Sequence, residues 1–568
     1  MRTAKELYPQ TSKVYNCELE FCPTCGGLML QCDYTSGRKT VQTLSEVLFI
    51  AYRPKYCADP SCESHETRWK SANWQQIAPL FCTYGYDVIA QIGWQRQSHY
   101  KQFEQIHAHL VTNLQISESH VRHLYYQSYL PLLACHERAH LDELQAVAAA
   151  TGLILTLDGL APEGGEPQLW IVRELQTGLT VRSGWLSAQS QAAFEHFLQP
   201  IADLNLHVTA VMSDKQRGLL PAIASVFTEA KHALCQMHYL KNAAEPVAAA
   251  DEAMKVSLRK TVRKAVGDLI RQEQVENPGV LTVTGLIPSP VDEDPAADET
   301  PGAPGDPVQQ EQAAVVDALK RRVRYLLTLK GRPPLRLAGL EMFERLTEVV
   351  ACLAVIIAYA PDPCLIQLRA GIQHALDEVE DEYLLLRQVA DWLSQITDLL
   401  DPEDKPPRTG TEVKTQLFVF LDDVLEQSRG QPILEELAQH IYQTSRNYEG
   451  GLFHTYDVPG LPRTNNDRES EFRDLKRRLW MTTGQLGATR RILHRSGAWE
   501  LIPRPGSFAD TVAALSQVGL DAFRQERQRV RSHRRRFRSH TRSVKQSRKL
   551  LRELQERWLS LPPDGLLV

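Results

Sequence analysis

The chain is predicted to be an α/β protein with three additions. A small cysteine-rich module and a helical segment precede the core, and a long all-helical block is set into it. Three observations predict this. Six of the 11 cysteines lie before residue 63. The apolar period turns strand-like at Leu153 and is helical throughout 313–447. Between these regimes, from about Asn277 to Gln312, the chain is rich in Pro, Asp, Glu and Gly, the composition of a disordered linker.

At 568 residues several domains are expected. Charged residues make up 23% of the chain and no apolar run approaches a bilayer span, so a soluble protein is expected, with no membrane partner. The start, Met1-Arg-Thr-Ala-Lys-Glu-Leu7, lacks an apolar signal core, which argues against secretion. A net charge of −5 argues against a simple polycationic nucleic-acid binder. That average hides an asymmetry, because the charges in 524–552 are almost all positive.

Residues 1–70 are rich in Cys, Pro and Gly, with short strand-like pieces such as Val47–Tyr52. Residues 84–135 read as helices: Asp87-Val-Ile-Ala-Gln-Ile92 has helical apolar spacing, continued by Phe103, Ile106 and Leu110. Ser117 offers an N-cap to a further helix with Val121, Leu124 and Tyr125 on one face. This pattern is that of a helix-turn-helix, with an ordinary helical linker as the alternative. Then Leu153–Asp158, Leu169–Val172 and Leu179–Trp185 read as strands, with Thr177-Gly178 as the turn of a hairpin. A helix at about 189–203, a strand at Val208–Met212 and a fifth strand near Lys231–Cys235 follow. That order of strands and helices is that of an RNase H-like core. Helices around 467–480 and 486–497 would complete it after the helical block.

Cys22-Pro-Thr-Cys25-Gly-Gly has the spacing of a metal-binding knuckle, and Cys57-Ala-Asp-Pro-Ser-Cys62 supplies a second, looser pair. Together they predict a zinc ribbon with four thiolate ligands, in a segment too poor in apolar residues to fold unaided. Reduced cysteines in a loop-rich segment are the bland alternative, and Cys17, Cys32 and His65 are competing ligands. Asp158 and Asp214 each end an apolar strand, where a buried carboxylate needs a compensating partner. Taken singly, each also suits a turn. Together with Glu469 in Thr464-Asn-Asn466-Asp-Arg-Glu469 they could hold divalent metal against a phosphodiester. Cys235-x-x-His238 fits half a zinc site, a buried Cys with a capping His, or a structural mark; the last two are favoured because no second ligand pair follows nearby.

Asp158, Asp214, the Cys235/His238 pair and Asn466-Asp-Arg-Glu469, with a helical insertion before the Glu, resemble the DDE transposases of bacterial insertion sequences. The similarity is greatest to the Mutator-like superfamily and to relatives with an N-terminal cysteine ribbon and helix-turn-helix. It covers about residues 15–500. The resemblance implies that Asp158, Asp214 and Glu469 are the three catalytic carboxylates, holding two Mg²⁺ (or Mn²⁺) ions. It implies cleavage at the element's ends, then attack of the freed 3′-OH on target DNA, with no covalent protein intermediate. The implied partners are double-stranded DNA, at the terminal inverted repeats and the target, and further copies of the chain, as a homodimer or higher oligomer. The implied setting is the bacterial cytoplasm, at the nucleoid.

The expected DNA contacts are His120, Arg122 and His123 on the last helix of the first helical segment. A second set is Arg463, Arg468, Arg473, Lys476, Arg477 and Arg478 around Glu469, for which a solvated helix face is the alternative. A third is the basic tail with Arg534, Arg535 and Arg536, which could instead be merely solvated or dock on the acidic linker. The expected domains are a zinc ribbon at 1–75, helix-turn-helix at 76–145, core at 150–275 and linker at 276–312. The all-helical insertion follows at 313–447, the rest of the core at 448–505 and a basic helical tail at 506–568. The long acidic linker and the Arg-rich tail depart from the family's pattern. Two rival functions stay open: an RNase H-like nuclease that cuts without joining, and a non-catalytic DNA-binding regulator.

Overall fold

The computed structural model describes residues 7–160, 167–271, 307–334, 336–401, 403, 407–484, 495–536 and 543–560. The side chains of 307, 466–471 and 536 are outside the description. Most of the expected linker at 276–312 and much of the expected helix at 486–497 fall outside the described residues as well. The chain forms two compact units: unit 1 is Met1–His232 with Asn465–Val568, and unit 2 is Ala233–Thr464.

Unit 1 begins with β1 (Thr11–Asn16), β2 (Met29–Gln31), β3 (Ser36–Gln42), β4 (Val47–Arg53), β5 (Lys55–Cys57) and the short α1 (Ala72–Gln75). Strands β1, β4 and β3 make one small sheet in that order, and β2 pairs antiparallel with β5. The larger sheet has its own apolar core of Val41, Ile50, Tyr52, Trp74 and Ala78. The cysteine end has only Cys22, Met29 and Cys57 buried together. The sequence expectation of a segment too apolar-poor to fold unaided therefore applies to the cysteine end, not to the whole module.

Next come α2 (Tyr86–Ser98), α3 (Phe103–Leu110) and α4 (Glu118–Leu124). Ser117 stands at the N-cap of α4, but its side chain makes no capping hydrogen bond. A π-helical turn at Tyr125–Tyr129 carries α4 into α5 (Leu130–Ala139), and α6 (Asp142–Ala150) follows. Gly93 lets α2 lie against that turn, since a Cβ there would meet the Tyr129 ring at 2.0 Å.

The five core strands are β6 (Leu153–Leu160), β7 (Gln168–Glu174), β8 (Thr180–Leu186), β9 (Val208–Ser213) and β10 (Lys231–Leu234). Their order in the sheet is β10-β9-β6-β7-β8. β6, β7 and β8 form an antiparallel meander, whose second turn uses Gly178 at φ +70°. Helix α7 (Gln191–Ala202) crosses over to β9, which runs parallel to β6, and α8 (Leu219–Val226) leads on to β10. One sheet face buries Leu153, Leu155 and Leu157 against Phe194, Phe197 and Ile223 of α7 and α8.

Unit 2 is helical: α9 (Gln236–Ala243), α10 (Glu245–Arg271), α11 (Pro307–Leu326), α12 (Ala338–Tyr359), α13 (Pro363–Asp377), α14 (Glu380–Leu400), α15 (Gly410–Gln427) and α16 (Pro432–Leu452). A single apolar core runs from Leu234 to Phe453. Buried Asp251 of α10 accepts hydrogen bonds from the N–H groups of Gly339 and Leu340, capping α12, whose own N-cap is Leu337. The Gln236 N–H donates to the Arg463 carbonyl at 2.9 Å, so the chain enters and leaves unit 2 side by side.

The chain returns to unit 1 in α17 (Asn466–Thr483). Phe472, Leu475 and Leu479 of α17 pack on Leu160, Leu169 and Ile171, covering the second face of the sheet. Helices Phe508–Ser516, Leu520–Arg536 and Val544–Leu559 end the described chain. The expected basic tail is thus partly built into the fold. Helix Leu520–Arg536 buries Phe523, Glu526 and Val530 at helical spacing, and Phe523 belongs to the core of α2–α5.

Candidate active site and cysteine cluster

Turns at Cys22–Gly27 and Asp59–Ser64 bring the four cysteines together. The Cys22 N–H donates to Gly27 O, and the Cys62 N–H to Asp59 O. The Sγ atoms of Cys22, Cys25, Cys57 and Cys62 all lie within 4.8 Å of one another. Cys25 and Cys57 are 3.5 Å apart and Cys22 and Cys62 3.9 Å. A tetrahedral Zn²⁺ with four bonds of ~2.3 Å needs sulfurs ~3.8 Å apart, so donor type, number and spacing fit structural zinc. Backbone N–H groups of Cys25 and Thr24 aimed at Cys22 lower its thiol to about 6, while burial pushes Cys57 up to about 12. Four thiolates this close repel one another unless a cation lies among them. The competing ligands stand apart in role: His65 Nδ1 is bonded to the Cys57 carbonyl, and Cys17 and Cys32 are buried outside the cluster.

Asp158 lies near the end of β6 and Asp214 directly follows β9. Both are half-buried. The parallel register pairs Leu155 with Val211 and Thr156 with Met212. Both aspartates therefore lie just beyond the last paired residues, at the same end of two neighbouring parallel strands. The Gly159 N–H donates to Asp158 Oδ1. Beside Asp214, buried Ser213 shares a 2.7 Å hydrogen bond with His232 Nε2 of β10. Helix α17 begins at this end of the sheet: Nδ2 of buried Asn465 donates to the Leu157 carbonyl at 3.2 Å. Glu469 follows Asn465 by one helical turn, and its side chain, like that of Arg468, lies outside the described residues.

Sequence reasoning singled out Asn466 and passed over Asn465, which anchors the helix to the strand of Asp158. The doubled Asn was the available signal. The partner of Ser213 was also missed, because His232 is adjacent to Ser213 only across the sheet.

The expected DNA contacts are differently placed. His123 is exposed and stacks on half-buried His120, which lies over Tyr84. Arg122 is engaged by Glu104 and by Glu118 at 2.8 Å, which offset its charge. On α17, Arg473, Lys476 and Arg477 are exposed, with Arg477 over the Tyr100 ring. Arg478 departs from the expectation. It is 7% exposed and lies 3.6 Å from buried Glu500, which also accepts from the Tyr125 hydroxyl. A guanidinium so enclosed belongs to the core and does not meet phosphate. Arg463, in unit 2, is held by Asp401 at 3.1 Å and the Leu400 carbonyl. Arg535 is exposed and Arg534 covers the Tyr126 ring, while the side chain of Arg536 lies outside the described residues. Cys235 and His238 fall in unit 2, Cys235 buried at the N-cap of α9 and His238 half-buried in its first turn.

Among the described residues no helix is long and apolar enough to cross a membrane. No curated protein matches the chain. Residues 179–276 match the family model described as "Transposase, Mutator family", whose members act on DNA. The matched segment takes in β8, α7, the strand end with Asp214, and the Cys235/His238 pair. The match supports a Mutator-like transposase.

Proposed function

We propose that the chain is a DDE transposase: a metal-dependent enzyme that cuts DNA at its element's ends and joins the freed 3′-OH to target DNA. The observation that carries this reading is the placement of Asp158 and Asp214 at the same end of adjacent parallel strands, with α17, which bears Glu469, anchored by Asn465 to the strand of Asp158. The strand order β10-β9-β6-β7-β8, with β9 parallel to β6, supports an RNase H-like core interrupted by unit 2. Asp158, Asp214 and Glu469 would hold Mg²⁺ or Mn²⁺, which when bound supplies activation of the attacking oxygen and stabilisation of the leaving one. The protein's own part is to fix three carboxylates from separate segments at one sheet end, so that the phosphodiester meets a preset array. Exposed Arg473, Lys476 and Arg477 on α17 would take flanking phosphates. The cysteine ribbon and α2–α4 would recognise the element's ends, with His120 and His123 toward DNA.

The test is a reaction of the purified chain with a duplex carrying its element's end, in Mg²⁺. Cleavage followed by joining, both lost in Asp158→Asn with end binding kept, is the expected result. Undiminished strand transfer in that variant overturns the assignment, and cutting without joining makes the chain a nuclease.

A further inference from the structure

Unit 1 has a cavity of about 560 Å³ that the proposed chemistry does not use. It lies beside β8, the last strand in the sheet's order, and is lined on its other sides by α5, residues 498–502 and helix Leu520–Arg536. Its volume lies within the roughly 300–1,000 Å³ of small-ligand sites. Three ring systems line it: Trp185, Trp499 and His533. Trp499 is held in place, its Nε1–H donating to buried Glu526 at 2.5 Å, and its ring lies edge-on to His533 with centroids 5.5 Å apart. Arg138 and Arg529 also line the cavity. Both pair with Glu526, yet they keep 43% and 58% of their side-chain surface exposed, so two guanidiniums share one carboxylate and retain free donors.

The cavity's place in the sheet gives it a purpose. Asp158 pairs across strands with Ile171, and Ile171 with Ser183. Residues directly opposite one another point to the same face, so Asp158, Ile171 and Ser183 form one row. Ile171 and Ser183 line the cavity. It therefore lies two strands from Asp158, about 10 Å at the usual strand spacing, on the carboxylate's own face. A DNA strand joining the two has to skirt α17, whose Phe472, Leu475 and Leu479 pack on Ile171.

We propose that this cavity receives a single unpaired nucleotide of the DNA substrate, its base stacked among Trp185, Trp499 and His533 and its phosphate at Arg138 and Arg529. Aromatic faces take any base and arginines take the backbone, so the site reads unpairing and not sequence. The inference builds on the reading of Asp158 as catalytic, because that residue defines where the scissile phosphate lies.

The test measures equilibrium binding of the full-length, zinc-replete chain, without divalent metal, to two duplexes of one arbitrary sequence: fully paired, and with a single bulged nucleotide. Tighter binding of the bulged duplex by about tenfold is expected, the effect of one stacked base. Trp185→Ala removes a stacking face, and Ser183→Trp fills the cavity from an exposed position without removing core atoms. Each should bring the two affinities together while leaving paired-duplex affinity unchanged. Equal binding of both duplexes by the wild type, or a preference that survives Ser183→Trp with an unchanged melting temperature, overturns the proposal. Bulge preference without Mg²⁺-dependent cleavage refutes only the catalytic reading; cleavage without bulge preference refutes only the cavity's role.

Discussion

The cysteine cluster and the proposed carboxylate site both gather acidic side chains, yet they are assembled in different ways. Cys22, Cys25, Cys57 and Cys62 come from two tight turns within 41 residues of sequence, and their sulfurs meet within 4.8 Å. The proposed carboxylate site draws on Asp158, Asp214 and Glu469, with the whole of unit 2 between the last two. Turn geometry and four thiols suffice to specify the first. The second depends on strand register, on the Asn465 anchor and on an insertion whose two ends meet through Gln236 and Arg463. A locally built site should fail alone, whereas a site built from distant segments should fail whenever its scaffold shifts.

The sharpest way to break this contrast is at the cysteines. Cys22→Ser with Cys25→Ser should abolish the one zinc per chain expected by elemental analysis. Structural zinc contributes on the order of 10 kcal/mol in small ribbons, so the cysteine end should unfold. The core should keep its melting transition, and a collapse of both together would contradict local assembly. At the carboxylates, Asp158→Asn or Asp214→Asn should lower cleavage on the order of 10⁴-fold, as for removal of one member of a catalytic set, with melting unchanged. Asn465→Ala should also reduce cleavage, through loss of the α17 anchor, while end binding persists. A fully active Asn465→Ala would show that the anchor does not position the site.

Glu526→Ala should destabilise the chain by about 2 kcal/mol. It removes a buried carboxylate that holds Arg138, Arg529 and Trp499, although both arginines can turn to solvent. A lowered melting temperature would show that helix Leu520–Arg536 is part of the fold. The smallest effects should come from surface arginines. Arg477→Gln and Arg535→Gln should each reduce the salt slope of duplex binding by about 1, whereas buried Arg478→Gln should lower stability and leave that slope unchanged. Salt titrations of the three variants separate phosphate contacts from core ion pairs.

Much of this was legible in the residues. The strand-like run Leu153–Asp158, the Thr177-Gly178 turn and the helical period of 313–447 depend on local spacing, which a sequence displays directly. The two cysteine pairs likewise carry their turn chemistry with them. Other features could not be read because they arise between segments remote in the chain. Arg478 and Arg477 are neighbours in a basic run, and only the packing of α17 against Glu500 makes one core and the other surface. The tail reads as a DNA-binding basic run because thirteen cations outweigh the single acid between Phe523 and Arg552, Glu526; only the packing shows that acid buried in an ion pair. Periodicity and local charge determine which elements form and which thiols cluster. Register, docking and the burial of single charges depend on long-range packing, and those are what bring Asp158 and Asp214 to one end of the sheet and line a cavity with Trp185, Trp499 and His533.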